Sequence, residues 1–295
     1  MKLIKPSFLI KEQESKLLGI YRQIEYAGRI CYKSSDKITE DSAKPFVDRM
    51  VNSQHYAMLE HGTVYLKVFD TLENSNLIDK YKFNKYSIVK DGTETYNCHG
   101  DVIYGSCKCI TTNFRVLVEN GWLDDLQYIC KPTEFHEKRI TVHFICDRGI
   151  LAEFTRHRVF SFAAESTRYC NYSKSKFNNE LTFIIPCWMG DKQKNISLES
   201  RDICGNTYAE VYFRESLIKA EKAYFTLLKE GWKPQQARTV LPNALKTELV
   251  MTGFASDWKH FFELRDDNSA HPQAQELAHP LHEEFVKRGY IVDNK

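Results

Sequence analysis

The sequence has no apolar run long enough to cross a membrane. Its first residues, MKLIKPSFLIKEQESK, carry early charge and break their apolar run at Lys5, Pro6 and Ser7, so they read as neither a signal peptide nor a spanning helix. Charge of one sign is not in excess either: 41 Lys and Arg against 39 Asp and Glu leave +2, too even for a nucleic-acid or membrane-surface footprint. Any anion recognition must therefore be local. There is no glycine-rich dinucleotide fingerprint, which excludes a Rossmann-type nucleotide site. Paired Cys-x-x-Cys knuckles, internal repeats, heptads and low-complexity tracts are also missing. The nine cysteines, an odd number scattered through the chain, fit free thiols in a reducing cytoplasm better than a disulfide framework. With 295 residues and 42% hydrophobic content, the chain can bury a sizeable core as one large domain or two small ones.

What is present is an alternation of helical and strand periods. Ser15 to Gln54 reads as helical, with Leu17, Leu18, Ile20 and Tyr21 on one face, a polar break at Ser34-Ser35-Asp36, and Phe46, Met50 and Val51 after it. Thr63 to Val68 is β-rich, and Ile140, Val142, Phe144 and Cys146 alternate as in a strand. Between them, roughly Asp70 to Lys138, the texture changes to Asn, Tyr, Lys and Cys with little sustained period, and this segment reads as an insertion peripheral to any chemistry. Asp147 suits the cap of a short helix that ends just before Arg156-His157-Arg158. A strand over Leu181 to Ile185, a long helix from about Tyr208 to Lys229 stopped by Gly231, a Pro234-initiated turn carrying Arg238, a strand over Thr247 to Phe254 and a helix capped by Ser256 complete the pattern.

Arginines beside structure breakers recur in three distant segments: Arg156, Arg158 and Arg168; Arg238 before Val240-Leu241-Pro242; and Arg265 in Leu264-Arg265-Asp266. Forked guanidinium donors match phosphate and carboxylate, so convergence of these segments would make a nucleotide phosphate site. Taken singly, each arginine is better explained as a cation at a helix C-terminus or as one half of a surface pair.

Taken together, the motifs favour the first reading through a resemblance. Arg156-His157-Arg158, seven residues, Ser166, then Arg168-Tyr169 resembles the signature of the flavin-dependent thymidylate synthases. The resemblance extends to His55-Tyr56-Ala57-Met58-Leu59-Glu60-His61, to Ala237-Arg238-Thr239-Val240-Leu241-Pro242, and to Phe262-Glu263-Leu264-Arg265 followed by Ala274-Gln275-Glu276, covering roughly residues 15–68 and 139–285. It implies an α+β fold, one domain over residues 1–295 with an antiparallel sheet flanked by helices and the large insertion lying between two core strands. It also implies a homotetramer with active sites where subunits meet, bound FAD, and NADPH and methylenetetrahydrofolate as co-substrates in turning dUMP into dTMP. Carried over by position, His55, Glu60, Arg156, His157, Arg158 and His260 would touch FAD, and Glu153, Ser166, Arg168, Arg238 and Arg265 would hold dUMP, with Arg265 and Ser166 catalytic. No metal, nucleic acid or membrane partner is implied.

The chain departs from the family pattern at named places. Ala163-Ala164 stand where Asn-Glu is usual, with a glutamate displaced to Glu165; Glu153 replaces a frequent glutamine; and Phe254 stands where an asparagine can contact flavin. Two competing readings are weaker. Cys98, His99, Cys107, Cys109 and Cys130 have no regular zinc-ligand spacing. Pro186-Cys187-Trp188 is similar to the cysteine site of the other thymidylate synthase family, but a thiol after a strand is expected to sit in the core. His271, His279 and His282 read as ordinary surface or core histidines.

Overall fold

The computed structural model describes residues 1–98, 101–174, 178–189 and 208–292. In chain order the elements are β1 (Lys2–Ile4), β2 (Ser7–Lys11), α1 (Lys16–Tyr32), α2 (Ala43–Asn52), β3 (Thr63–Phe69), α3 (Ser75–Lys82), β4 (Ile88–Cys98), β5 (Asp101–Asn113) and α4 (Phe114–Asn120). They continue with β6 (Arg139–Asp147), α5 (Arg148–Phe154), β7 (Ser161–Ala164), β8 (Thr182–Ile184), α6 (Tyr208–Lys229), α7 (Pro234–Ala237), β9 (Lys246–Phe254), α8 (Ala255–Arg265) and α9 (Pro272–Lys287). No helix among the described residues is long and apolar enough to cross a membrane.

The architecture is α+β with antiparallel sheets. One sheet runs in the order β2-β6-β9-β7, every neighbouring pair antiparallel. Its central strands β6 and β9 alternate as their sequence period requires. Val142, Phe144, Leu249 and Met251 enter a core closed by Phe154 of α5, Trp258 and Phe261 of α8 and Leu281 and Phe285 of α9. Burying an aromatic or aliphatic side chain of this size stabilises by about 1.5–3 kcal/mol each, so this face is what fixes α5 and α8 against the sheet.

A second sheet, ordered β3-β5-β4, comes largely from the 70–138 segment. That segment does lie between two core strands, β3 and β6, but those strands belong to different sheets. It is also more regular than its composition indicates. The strand β5 pairs with β3 along the full length of β3, and Ile78, Tyr81, Ile110, Phe114 and Leu117 share a second core with Ile20 and Ile24 of α1 and Phe46 and Met50 of α2. A long twisted hairpin of mixed polar and β-branched residues has a weak single-strand period, which is why the sequence reads as irregular there.

Several local expectations hold. The Asp147 side chain accepts from Ile150 N at 2.8 Å, capping α5. Gly231, at φ +89°, ends α6 at Lys229, and its positive φ is one that only glycine adopts freely. Ser256 is not the cap of α8: that helix begins at Ala255, and it is the Asp257 side chain that accepts from Phe254 N at 3.0 Å. The longer carboxylate reaches back three residues, as in a capping box, while the Ser256 amide donates to Glu137 Oε1. Cys31, Cys107, Cys109, Cys130, Cys146 and Cys187 form no disulfide. Cys187 is exposed and not in the core, because β8 ends at Ile184 and the chain turns outward. Cys107, Cys109 and Cys130 stand among the described residues, which contain no group of three or more side chains able to hold a metal; the Cys98 side chain and His99 lie outside them.

Candidate active site

The segment Arg156 to Tyr169 leaves the C-terminal end of α5, passes through β7 on the sheet edge, and turns at Ser166 toward α1. Its path is fixed by packing. The Phe160 ring lies so close over Gly253 that an added Cβ would approach it to 2.5 Å, and Ala163 is buried against Ala27 and Ile30 of α1 and Val250 of β9. The small residue at 163 is thus what allows α1 to cross β7, while Ala164 packs on the opposite face against the α8–α9 core.

At the α5 end, Arg265, the last residue of α8, donates from Nε to His157 Nε2 at 3.0 Å, from Nη1 to Glu153 Oε2 at 2.9 Å, and from Nη2 to the Glu153 carbonyl oxygen at 3.1 Å. Receiving a donor at Nε2 requires His157 to be neutral there. Burial, then the Arg265 charge and His260, push its pKa down to about 4. Arg156 and Arg158 flank this knot, exposed and with no carboxylate partner among the described residues. His260 is exposed on α8, 3.2 Å from Glu263.

At the other end, Arg238 follows α7 and donates from Nη1 to Thr167 Oγ1 at 3.3 Å. Arg168 is exposed and lies over the Tyr169 ring. Ser166 is half-buried; its amide donates to the Cys31 carbonyl at 3.1 Å and its carbonyl accepts from Cys170 N at 2.9 Å. Ser166, Arg168 and Arg238 therefore share one edge. Tyr32 ties His55 to it: its hydroxyl lies 3.2 Å from His55 Nδ1 and its ring 6.0 Å from that of Tyr169.

Glu60 lies on the turn before β3, bonded to Arg115 Nη1 at 2.6 Å, while its carbonyl accepts from Arg139 Nη1. Arg139 in turn donates to Ser161 Oγ at 2.9 Å, so it joins the Glu60 turn to β7. Its guanidinium also lies 5.8 Å from the centre of the Phe254 ring, which occupies the place of an asparagine in the family pattern. The neighbouring His61 is fully buried, with Nδ1 2.8 Å from Thr252 Oγ1; burial first, then Arg139, lowers its pKa to about 3.

Sequence reasoning missed Arg115, Arg139 and Tyr32. Arg115 sits at the end of the supposed insertion and brings that segment into contact with a predicted site residue, so the segment is not wholly peripheral. An Arg115/Glu119 pair at helical spacing was the available signal. A cleft of about 530 Å³ lined by Lys11, Gln13, Thr133, Lys138 and Tyr290 holds none of the predicted residues.

A sequence profile for the thymidylate synthase complementing protein family matches residues 116–288, more than half of the chain. The chain belongs to this family. The match takes in residues 116–138, the C-terminal part of the segment read as an insertion. Among curated relatives, the flavin-dependent thymidylate synthase of Pyrococcus abyssi (strain GE5 / Orsay) is 30% identical over 143 residues, 48% of this chain and 52% of that protein. The enzyme of the same name from Mycobacterium bovis (strain BCG / Pasteur 1173P2) is 31% identical over 133 residues, 44% of this chain and 50% of that protein. The matched part thus spans about half the length of both relatives. A crystal structure of a UMP/dUMP methylase, PolB, from Streptomyces cacaoi bound with 5-Br dUMP aligns over 97% of this chain and 93% of that one, at 16% identity and a TM-score of 0.43. A similarity that low carries no argument about the site.

Proposed function

We propose that this member of the family is a flavin-dependent thymidylate synthase that converts dUMP to dTMP. The observation that carries the reading is that one continuous segment, Arg156 to Tyr169, delivers His157 to Arg265 and Glu153 at one end, and Ser166 and Arg168 to Arg238 at the other. The relatives' names agree with it.

The residues present fit a flavin dinucleotide by their chemistry: Arg156 and Arg158 offer guanidinium groups not neutralised by any described carboxylate, and His55 and His260 are exposed donors. These residues, with His157 and Glu60, would hold FAD. When bound, FAD reduced by NADPH supplies the reducing equivalents and methylenetetrahydrofolate the carbon.

Ser166, Arg168 and Arg238 would bind the dianionic phosphate through hydroxyl and guanidinium donors. Arg265 has a different task. Of the five N–H donors of a guanidinium, three are used on Glu153 and His157, which leaves two for the uracil carbonyls. Fixed there, it would stabilise the enolate-like negative charge on the uracil carbonyl oxygens that makes C5 nucleophilic toward the methylene carbon. Glu153 and His157 hold it without reorganisation during the reaction.

No hydrogen bond or ion pair among the described residues links the Arg265 group to the Ser166–Arg168–Arg238 edge. That separation supports a site completed by a second copy, in keeping with a homotetramer. The test is dTMP formation from dUMP, methylenetetrahydrofolate and NADPH by flavin-loaded protein under anaerobic conditions. A purified protein that shows the oxidised-flavin spectrum yet forms no dTMP would overturn the reading.

A further inference from the structure

Directly before Ser166 lies a group of buried charges that the reaction does not use. Glu165 is buried, and its Oε2 receives Lys246 Nζ at 3.0 Å and lies 3.4 Å from Lys33 Nζ, while Oε1 accepts from the Tyr172 hydroxyl at 2.9 Å. Both ammonium groups also bond Glu248 Oε1. Glu248 Oε2 lies 3.1 Å from His143 Nε2, and His143 Nδ1 2.7 Å from the Tyr26 hydroxyl. Two lysines thus face two glutamates, and the charges cancel.

The backbone follows the same route. Glu165 N donates to the Glu248 carbonyl at 2.8 Å and Ser166 N to that of Cys31. Lys33 ends α1 with φ +49° and ψ +52°, a left-handed conformation that ordinarily favours glycine. A lysine at that position sends its ammonium to Glu165 and Glu248. Burial alone would raise the Glu248 carboxyl, yet His143, Lys246 and Lys33 hold it well below the usual range; burial alone would lower Lys246, yet Glu165 and Glu248 raise it. Lys246 and Glu248 therefore face each other as ions.

We infer that Glu165 is a positioning residue: clamped between the end of α1 and β9, its carboxylate fixes the turn that presents Ser166 and Arg168 to the substrate phosphate. Ala163 and Ala164 offer no polar side chain for this, whereas Glu165 does. The inference rests on the reading of dUMP as substrate, and it names a device this chain has built around its own departure from the family pattern.

Glu165→Gln keeps the shape and removes the charge, leaving two lysines on one glutamate. It should raise the KM for dUMP about tenfold or more, the scale of one lost charged hydrogen bond, with kcat at saturating dUMP and the flavin spectrum little changed. Glu165→Asp should recover part of the loss, and amide deuterium uptake at Ser166 to Cys170 should rise in Glu165→Gln. A folded Glu165→Gln protein with parental KM overturns the inference, as does one in which KM is unchanged and kcat alone falls. If that variant does not fold, Tyr172→Phe, which removes one hydrogen bond from the same carboxylate, should still raise KM at constant kcat, and no rise overturns the inference. A parent protein that binds no dUMP would refute the functional reading instead; deuterium uptake then decides alone, and unchanged uptake in Glu165→Gln refutes the clamp.

Discussion

The two ends of the Arg156–Tyr169 segment hold their arginines in opposite ways. Arg265 is tied through all three of its nitrogens to Glu153 and His157, with a carboxylate already at its side. Arg168 and Arg238 are exposed, and their described contacts are a neighbouring ring and one hydroxyl. A guanidinium that must stabilise a small charge difference in a transition state gains from being immobile, because reorganisation at the moment of reaction costs barrier height. A guanidinium that captures a dianion gains from being open and unneutralised. On the proposed reading, the difference separates an end that sets the rate from one that sets affinity, and that separation can be broken experimentally.

The largest effect is expected at the closed end. Arg265→Ala removes the fixed donors and leaves the half-buried Glu153 without its cation. Turnover should fall by about 10²–10³-fold, as for loss of an oxyanion donor, while dUMP binding changes far less. Stopped-flow or steady-state dTMP formation at saturating dUMP measures the first quantity and equilibrium titration the second. If affinity collapses while turnover at saturation survives, the two ends have been assigned the wrong way round.

At the open end the signs reverse. Arg238→Ala should weaken dUMP by about 1.5–3 kcal/mol, the range for a hydrogen bond to a charged group, and leave the flavin spectrum and the saturated rate nearly intact. Calorimetric titration of dUMP checks this. Loss of flavin at normal dUMP affinity would move Arg238 from the substrate to the cofactor side.

How much of this contrast was legible in the sequence follows from its physics. The strands β6 and β9, the helix α6 and the caps at Asp147 and Gly231 were readable because each depends on a local period or one residue's conformational preference. The signature residues were readable as a set, but not which of them bond to each other. The Arg265–Glu153 contact joins residues 112 positions apart, and nothing local marks it. The buried network at Glu165 was invisible for the same reason: Lys33, Glu165, Lys246 and Glu248 look like four surface charges until α1, β7 and β9 are stacked. Tyr32 and Arg139 act as ties between segments, and a tie has no periodicity.

The closed end also predicts a pH dependence that the open end, with no histidine among Ser166, Thr167, Arg168 and Arg238, does not share. His157 is held neutral, its pKa lowered from 6.5 to about 4. Below pH 6.5 the unfolded chain takes up a proton that the folded one refuses, so stability is full above that pH and is lost as pH falls toward 4. At about 1.36 kcal/mol per pKa unit this residue's loss would be about 3 kcal/mol, which solvent screening reduces to about 2, and His61, lowered to about 3, extends it to more acidic pH. Urea midpoints at neutral and acidic pH measure the slope. In His157→Gln the slope should flatten, and an unchanged slope would mean that His157 is not the neutral acceptor of Arg265.

The smallest effect is expected at the cysteines, and it tests whether both ends work without covalent help. A cysteine-dependent synthase needs a thiolate to attack C6 of uracil, and Cys170, just after the signature, and Cys187, after Pro186, are poorly suited to it. Cys170 is buried among Leu181, Phe183 and Tyr224, and its amide is spent on the Ser166 carbonyl. Cys187 is exposed, but partial burial and then the Glu276 charge raise its pKa, leaving little thiolate at neutral pH. Cys187→Ser and Cys170→Ser should therefore each retain dTMP synthesis within about tenfold, roughly 1.4 kcal/mol of barrier. Cys170→Ser should cost some stability as well, because its hydroxyl enters an apolar pocket. Rates must accordingly be referred to folded, flavin-loaded protein. A fall of several orders of magnitude in either variant on that basis would put a nucleophilic thiol at the centre of the reaction, and Arg265 would no longer be the group on which activation of uracil depends.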